Sequence, residues 1–248
     1  MADLILDERL LGAYPSHPDH RDYKVEEHLD MAAPLPRRFV LSLLAPVLNQ
    51  GNTGRCVAFS GTGARQQEER SDGDWPSGWP PLDEEWLYTH AEAIDGLPGP
   101  PNDQRGTTVR AALNVLLKQG QPLTGKPATA PEFKIASYHA VSFAAATIKS
   151  ALAQLKVPIW IATSWYGNWF KPVNGVLPKP VGSVVGGHAR FIFGWDDNVA
   201  GGSFLVRNSW GAAWGSNGNS YDPYAGCLHA MHDAWTTADI SPDPHVGG

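Results

Sequence analysis

Three short islands, far apart along the chain, restrict what this sequence can fold into more than its composition does. The first is Leu48-Asn49-Gln50-Gly51-Asn52-Thr53-Gly54-Arg55-Cys56-Val57-Ala58-Phe59-Ser60, with a thiol at Cys56 and a side-chain amide at Gln50. The second is Gly187-His188-Ala189 and the third is Arg207-Asn208-Ser209-Trp210-Gly211. His188 lies 132 residues beyond Cys56, and Asn208 lies 152 beyond it. A thiol, an imidazole and an amide act together only within hydrogen-bonding reach. The fold must therefore bring the two halves of the chain face to face.

Those halves read differently. Residues 1–36 are rich in Pro, His and Asp and read as an extended N-terminal arm. From Cys56 the pattern is helical as far as Arg70, started by the Gly-Asn-Thr-Gly turn before it. Residues 71–81 and 96–106 are Gly/Pro loops around a short helix near Asp83–Ile94. Val109, Leu113, Leu116 and Leu117 recur at helical spacing, with Thr107 or Thr108 to cap that helix and Gly120 to stop it. Residues 121–133 form a second Pro-rich connection and the candidate lobe boundary. Ile148, Leu152 and Leu155 suit one more helix, after which strand-like runs alternate with glycine turns at 158–163, 189–194 and 204–207. The expectation is an α+β protein in two lobes, with residues 37–125 helical and residues 126–248 rich in strands.

Composition narrows the class. A chain of 248 residues is long enough for two lobes around a shared cleft. Net charge is -6 and no long basic run occurs, which argues against nucleic acid as a partner. No run of eighteen apolar residues exists, so no membrane span is expected. The opening residues carry early acids and do not read as a secretory signal, which points to an intracellular setting. The only two cysteines are Cys56 and Cys227, so a free thiol at Cys56 leaves no disulfide framework.

A free thiol is only a few per cent ionised at neutral pH. A helix N-terminus and a neighbouring imidazole both raise that fraction, and Cys56 is placed to have the first, with His188 the candidate for the second. Asn208 could orient the ring. Gln50 and the backbone N–H of Cys56 are the natural donors for an oxyanion.

These residues resemble the papain-like cysteine peptidases. That family carries a Cys-Gly-Ser/Ala-Cys-aromatic run with His and Asn roughly 130–150 residues later. Its Gln-Gly-x-Cys-Gly-Ser-Cys-Trp-Ala-Phe-Ser block aligns without a gap to Gln50–Ser60, and its Asn-Ser-Trp-Gly block to Asn208–Gly211, with a second Trp-Gly at 214–215. The resemblance runs from about Leu35 to Ile240. It implies a left helical lobe, a right β-barrel-like lobe and a cleft between them. Cys56, His188, Asn208 and Gln50 would be catalytic. Gly106, Thr107, Thr108, Gly187 and Trp210 would meet substrate, Trp210 also shielding the Asn208–His188 pair. It implies an endopeptidase acting on extended polypeptide, with no metal or organic cofactor. The lead-in Leu-Pro-Arg-Arg-Phe is similar to prokaryotic and viral members.

The sequence also departs from that pattern. Thr53 stands where relatives have a disulfide-bonded cysteine, Arg55 where they have a small residue, and Val57 where they have tryptophan. Arg55 either lowers the thiol pKa or points to solvent. The arm is short for an inhibitory pro-segment, and residues 10–30 are expected to pack on the surface or to cover the cleft. Two rival readings follow. One is a papain-fold binding protein with an occluded site. The other is the same acyl chemistry on an isopeptide or ester, or in transpeptidation. Cys227, His229 and His232 offer three potential zinc ligands and no convincing fourth, so metal is not expected. Trp165, Trp169 and Trp195 read as cover for the right-lobe core.

Overall fold

The computed structural model describes residues 11–238, apart from 21, 44, 74, 76, 77, 79 and 127–132. The first ten residues of the expected arm, parts of the loops at 71–81 and 121–133, and the last ten residues lie outside that range. Five α-helices, two one-turn 3-10 helices (Val25–His28 and Gly167–Phe170) and nine strands follow in chain order among the described residues. The α-helices are α1 (Cys56–Ser71), α2 (Glu84–Glu92), α3 (Val109–Lys118), α4 (Ala145–Leu155) and α5 (Tyr224–Ala230). The strands are β1 (Ala13–Tyr14), β2 (Arg38–Val40), β3 (Thr107–Thr108), β4 (Ser137–Ala140), β5 (Ile159–Tyr166), β6 (Val184–Asp196), β7 (Ser203–Arg207), β8 (Asn219–Pro223) and β9 (Met231–Ala238).

Seven strands form one sheet in the order β4-β9-β5-β6-β7-β8, with β2 also paired to β6, and its pairings are antiparallel. β2 thus joins the sheet of the second half, although the helices of the first half follow it in sequence. The strand at 189–194 extends back to Val184, through glycines that carry no strand signal of their own.

Helix α1 is the spine between the lobes. It buries every residue from Cys56 to Glu68. Such closeness requires small side chains: a Cβ on Gly61 would strike the Trp160 indole of β5. The Trp160 Nε1–H donates to Ser60 Oγ at 2.6 Å, so the same contact is also hydrogen-bonded. A helix-interior glycine costs about 1 kcal/mol relative to alanine, which the buried dock offsets.

One apolar core lies between α1, α2 and α3, with Trp160, Ala162, Ala189 and Trp235 closing it from the sheet. Thr108, not Thr107, caps α3, its Oγ1 accepting from the Ala111 N–H at 3.1 Å. Asp83 caps α2 in the same way at 2.9 Å from Trp86 N. A second core lies under α4, where Ile148 and Leu152 meet Ile159, Ile161, Ile192, Trp195 and Phe204. No helix among the described residues is long and apolar enough to cross a membrane.

Candidate active site

Cys56 is the first residue of α1 and is fully buried. The backbone N–H of Ala189, from β6, lies within hydrogen-bonding reach of its sulfur. The first and second islands therefore meet across the space between helices and sheet. His188, on the same strand, is also fully buried. Its Nε2 is 2.8 Å from Asn208 Oδ1. Asn208 Oδ1 accepts from the Ser209 backbone N–H at 2.7 Å, which fixes that atom as the oxygen. An amide oxygen only accepts, so His188 Nε2 carries the proton and Nδ1 is the basic nitrogen of the neutral ring.

Gln50 belongs to the same network. Its Oε1 accepts from Ser209 Oγ at 2.7 Å, its Nε2 donates to Thr53 O at 2.7 Å, and its backbone N–H donates to Ser209 O at 2.9 Å. Ser209 thus joins the amide before the thiol to the amide behind the imidazole. It sits inside the third island, and that adjacency was the signal for it. Aromatic rings enclose the imidazole. Trp210 stacks on His188 with centroids 4.4 Å apart, and Trp165 meets it edge-on at 4.9 Å.

The arm enters this space. β1 pairs in parallel with β3, Ala13 opposite Thr107 and Tyr14 opposite Thr108. The Gly12 N–H donates to Gly187 O and its carbonyl accepts from Thr107 N, both at 2.9 Å. The chain near Gly12 bridges the helical side and the sheet side directly beside Cys56. The fit is tight. A Cβ on Gly12 would strike Gly54 O, one on Gly106 would strike Gly12 O, and one on Gly187 would strike Ala13 O. Gly106 also holds φ +79°, a region that favours glycine.

Comparison with known proteins matches this arrangement. Residues 118–221 fit the model of the papain family cysteine proteases. The solved structure of xylellain, a cysteine protease from Xylella fastidiosa, superposes with a TM-score of 0.79 at 26% identity, covering 92% of this chain and 96% of that one. Residues 118–221 thus resemble a papain-family domain, and the fold around them resembles that of xylellain. Among curated relatives, a gut-specific cysteine proteinase of Caenorhabditis elegans is 37% identical over 82 residues, 33% of this chain and 25% of that protein. An uncharacterized peptidase C1-like protein of Acanthamoeba polyphaga mimivirus is 42% identical over 72 residues, 28% of this chain and 22% of that protein. The chain thus spans about a quarter of the length of these curated relatives.

Within this papain-like α+β fold, Gly106, Thr107, Thr108 and Gly187 all contact the arm, and Trp210 packs on the imidazole. Burial pushes the Cys56 thiol up to about 11, while N–H groups of Ala189, Gly12, Val57 and Cys56 pull it down. With the arm seated, loss of water outweighs the helix terminus, and the thiol stays protonated at neutral pH. Arg55 does not point freely to solvent. It pairs with Asp103 at 2.5 Å and Glu85 at 3.5 Å and lies over the Tyr88 ring at 5.5 Å. Val57 is buried in the helical core rather than forming cleft wall. Cys227 and His229 lie on α5 against one cavity, and His232 lines a different hollow beside the arm. No three His, Cys, Asp or Glu side chains gather as a metal site among the described residues.

Proposed function

We propose that this chain is a cysteine-type endopeptidase whose own arm rests in the substrate cleft. The reading is carried by one observation: a buried imidazole, oriented by an amide oxygen at 2.8 Å, sits one residue before Ala189, whose backbone N–H reaches a thiol at a helix N-terminus. The walls are the helical lobe, residues 37–125, and the β-rich lobe, residues 126–248, with β2 lying on the sheet. Gly106, Thr107, Thr108 and Gly187 offer their backbones to an extended peptide, as they do to the arm.

In this reading the arm first leaves and His188 takes the Cys56 proton. The thiolate attacks the scissile carbonyl carbon. The oxygen gains the electron pair of the C=O π bond, and the Gln50 side chain and the Cys56 N–H stabilise it. His188 then protonates the leaving amine as the C–N bond breaks, which leaves a thioacyl enzyme. Water, losing a proton to His188, then attacks the acyl carbon; the C–S bond breaks to release the acid, and the departing sulfur takes the proton back from His188. Asn208 holds the ring throughout. No cofactor enters these steps.

A second reading, a papain-fold binding protein with a closed site, is favoured by the full burial of Cys56 behind Gly12 and Ala13. One experiment separates the two. Gly12→Val adds a side chain where Gly54 O leaves no room, so it expels the arm without altering the proposed machinery. Labelling by an epoxide-type thiol-protease inhibitor is read by mass spectrometry. The peptidase reading expects Cys56 of Gly12→Val to label at least about tenfold faster than wild type, because the open form is no longer the minor one. Labelling should collapse in Gly12→Val combined with His188→Ala. A folded Gly12→Val that leaves Cys56 unlabelled sinks the peptidase reading in favour of the binding protein.

A further inference from the structure

A cavity of about 470 Å³ opens between α5 and the segment that follows β5. It shares no lining residue with the hollow beside the arm. Its inner surface is apolar: Trp169, Leu177 and Cys227 are each no more than 2% exposed, and Pro178, Pro180 and Pro223 supply flat ring faces. The Trp169 Nε1–H is already bonded to Pro178 O at 2.8 Å, so the indole presents its ring and not a donor. Volume and lining match those of small-molecule sites, which run to about 300–1,000 Å³ with few polar groups.

The polar groups around the cavity are unequal. Asp222 lies at its inner end, 1% exposed, but its carboxylate is committed to Arg190 Nη1 at 2.6 Å and Ser220 Oγ at 2.5 Å. The Lys179 ammonium at the mouth is exposed and has no ion pair among the described residues, and the exposed His229 ring lies at the same opening. The uncompensated charge at the mouth is therefore positive above an apolar interior.

We infer that this cavity is a second binding site, taking a small flat-ringed molecule that carries one carboxylate. The rings lie among Trp169 and the prolines, and the acid meets Lys179 at the mouth. Trp169 packs edge-on against Trp165 at 5.3 Å, and Trp165 in turn packs against His188. An occupant so placed touches the aromatic group that encloses the proposed catalytic ring.

Isothermal titration of the full-length protein with 2-naphthoate tests the assignment. The expected result is saturable one-to-one binding. It should be lost in Ala225→Trp, which fills the cavity from an exposed position on α5, and kept in Ala225→Ser. Lys179→Glu, on an exposed side chain that folding does not need, should weaken binding by about fivefold, the scale of an exposed charge pair. Absence of saturable heat with wild type overturns the site, as does binding that survives Ala225→Trp in a protein of unchanged melting temperature. Equal affinity for 2-naphthamide and 2-naphthoate overturns the carboxylate assignment.

Discussion

The two sides of the cleft are held by different physics. On the thiol side, residues 50–56 form a turn of polar residues and glycine with almost no apolar mass. It is tied down by single polar contacts: Gln50 Nε2 to Thr53 O at 2.7 Å, Gln104 Nε2 to Asn52 O at 2.6 Å, Gly54 N to Asp103 O at 2.6 Å, and Arg55 to Asp103 at 2.5 Å. These ties span the place where the family resemblance implies a disulfide and this chain has Thr53. On the imidazole side, rings do the holding. Trp165 and Trp210 flank His188, Phe170 stacks on Trp210 at 5.5 Å, and Trp214 meets it edge-on at 5.4 Å. A ring cage excludes water and fixes an orientation. A polar turn keeps backbone N–H groups near the place where an oxyanion would form. The contrast implies that damage to the ring side should appear first as lost stability, and damage to the turn as lost rate.

The largest effect is expected from Trp165→Ala. The indole is fully buried, and deleting a buried Trp costs about 3–5 kcal/mol of stability. Chemical denaturation should read that loss directly. A Trp165→Ala protein of unchanged stability would mean that the ring cage is not what holds His188. Next comes Gln50→Ala, made in the Gly12→Val background so that the cleft is open. Losing one oxyanion donor costs about 2.7–4 kcal/mol of transition-state stabilisation. If the proposed peptidase reading holds, the loss should fall on kcat with KM nearly unchanged, measured on a peptide that the Gly12→Val protein cleaves. An effect confined to KM would remove Gln50 from the oxyanion role.

The ease with which each side could be read from sequence follows the same division. The polar turn is local: Gln50 and Cys56 are six residues apart, and the start of α1 follows from the glycine turn before it. The capping of α2 and α3 is equally local, one threonine or aspartate three residues before its N–H. The ring cage is not local. Trp165, Phe170 and Trp210 come from two distant segments, and their periodicity gives no hint that they converge on an imidazole. The strand containing Gly186 and Gly187 looked shorter than it is, because glycine there serves close approach of the arm rather than strand propensity. β4, β8 and β9 are partly polar strands that only tertiary pairing reveals. The arm's seat was open as well, since nothing in residues 11–14 says which backbone they will pair with.

The arm's outer anchor combines both devices, and acid should weaken it. His28 of the arm meets His139 of β4 edge-on at 4.9 Å, and the Tyr23 carbonyl accepts from Ala140 N at 2.9 Å. Burial, with His28 beside it, lowers the His139 pKa below its ordinary 6.5, Glu27 pulling the other way. The folded ring therefore binds a proton less readily than the unfolded one. Its contribution to stability is whole above pH 6.5 and drains as pH falls through the lower folded value. The melting temperature should drop between pH 7 and pH 5 by more in wild type than in His139→Asn. Parallel curves for the two proteins would dismiss this ring as the source.

The smallest effect is expected where the turn is tied by charge. Asp103→Asn removes the carboxylate facing Arg55 while leaving the Asp103 backbone carbonyl in place to accept from Gly54. The Asp103 side chain is 60% exposed, and pairs of that kind contribute about 0.2–1 kcal/mol. Burial works against the Arg55 charge, but Asp103 and Glu85 together hold its pKa above the ordinary value, so the guanidinium stays charged at any working pH. The pair should therefore respond to salt and not to pH. In about 0.1 M salt Asp103→Asn should melt slightly below wild type, and the gap should close near 1 M, where the screening length falls to about 3 Å. Cys56 labelling in the Gly12→Val background should change little, because the backbone ties at Gly54 and Asn52 remain. A larger loss that persists in high salt would show that charge holds the turn as firmly as the rings hold His188, and the contrast between the two sides would fail.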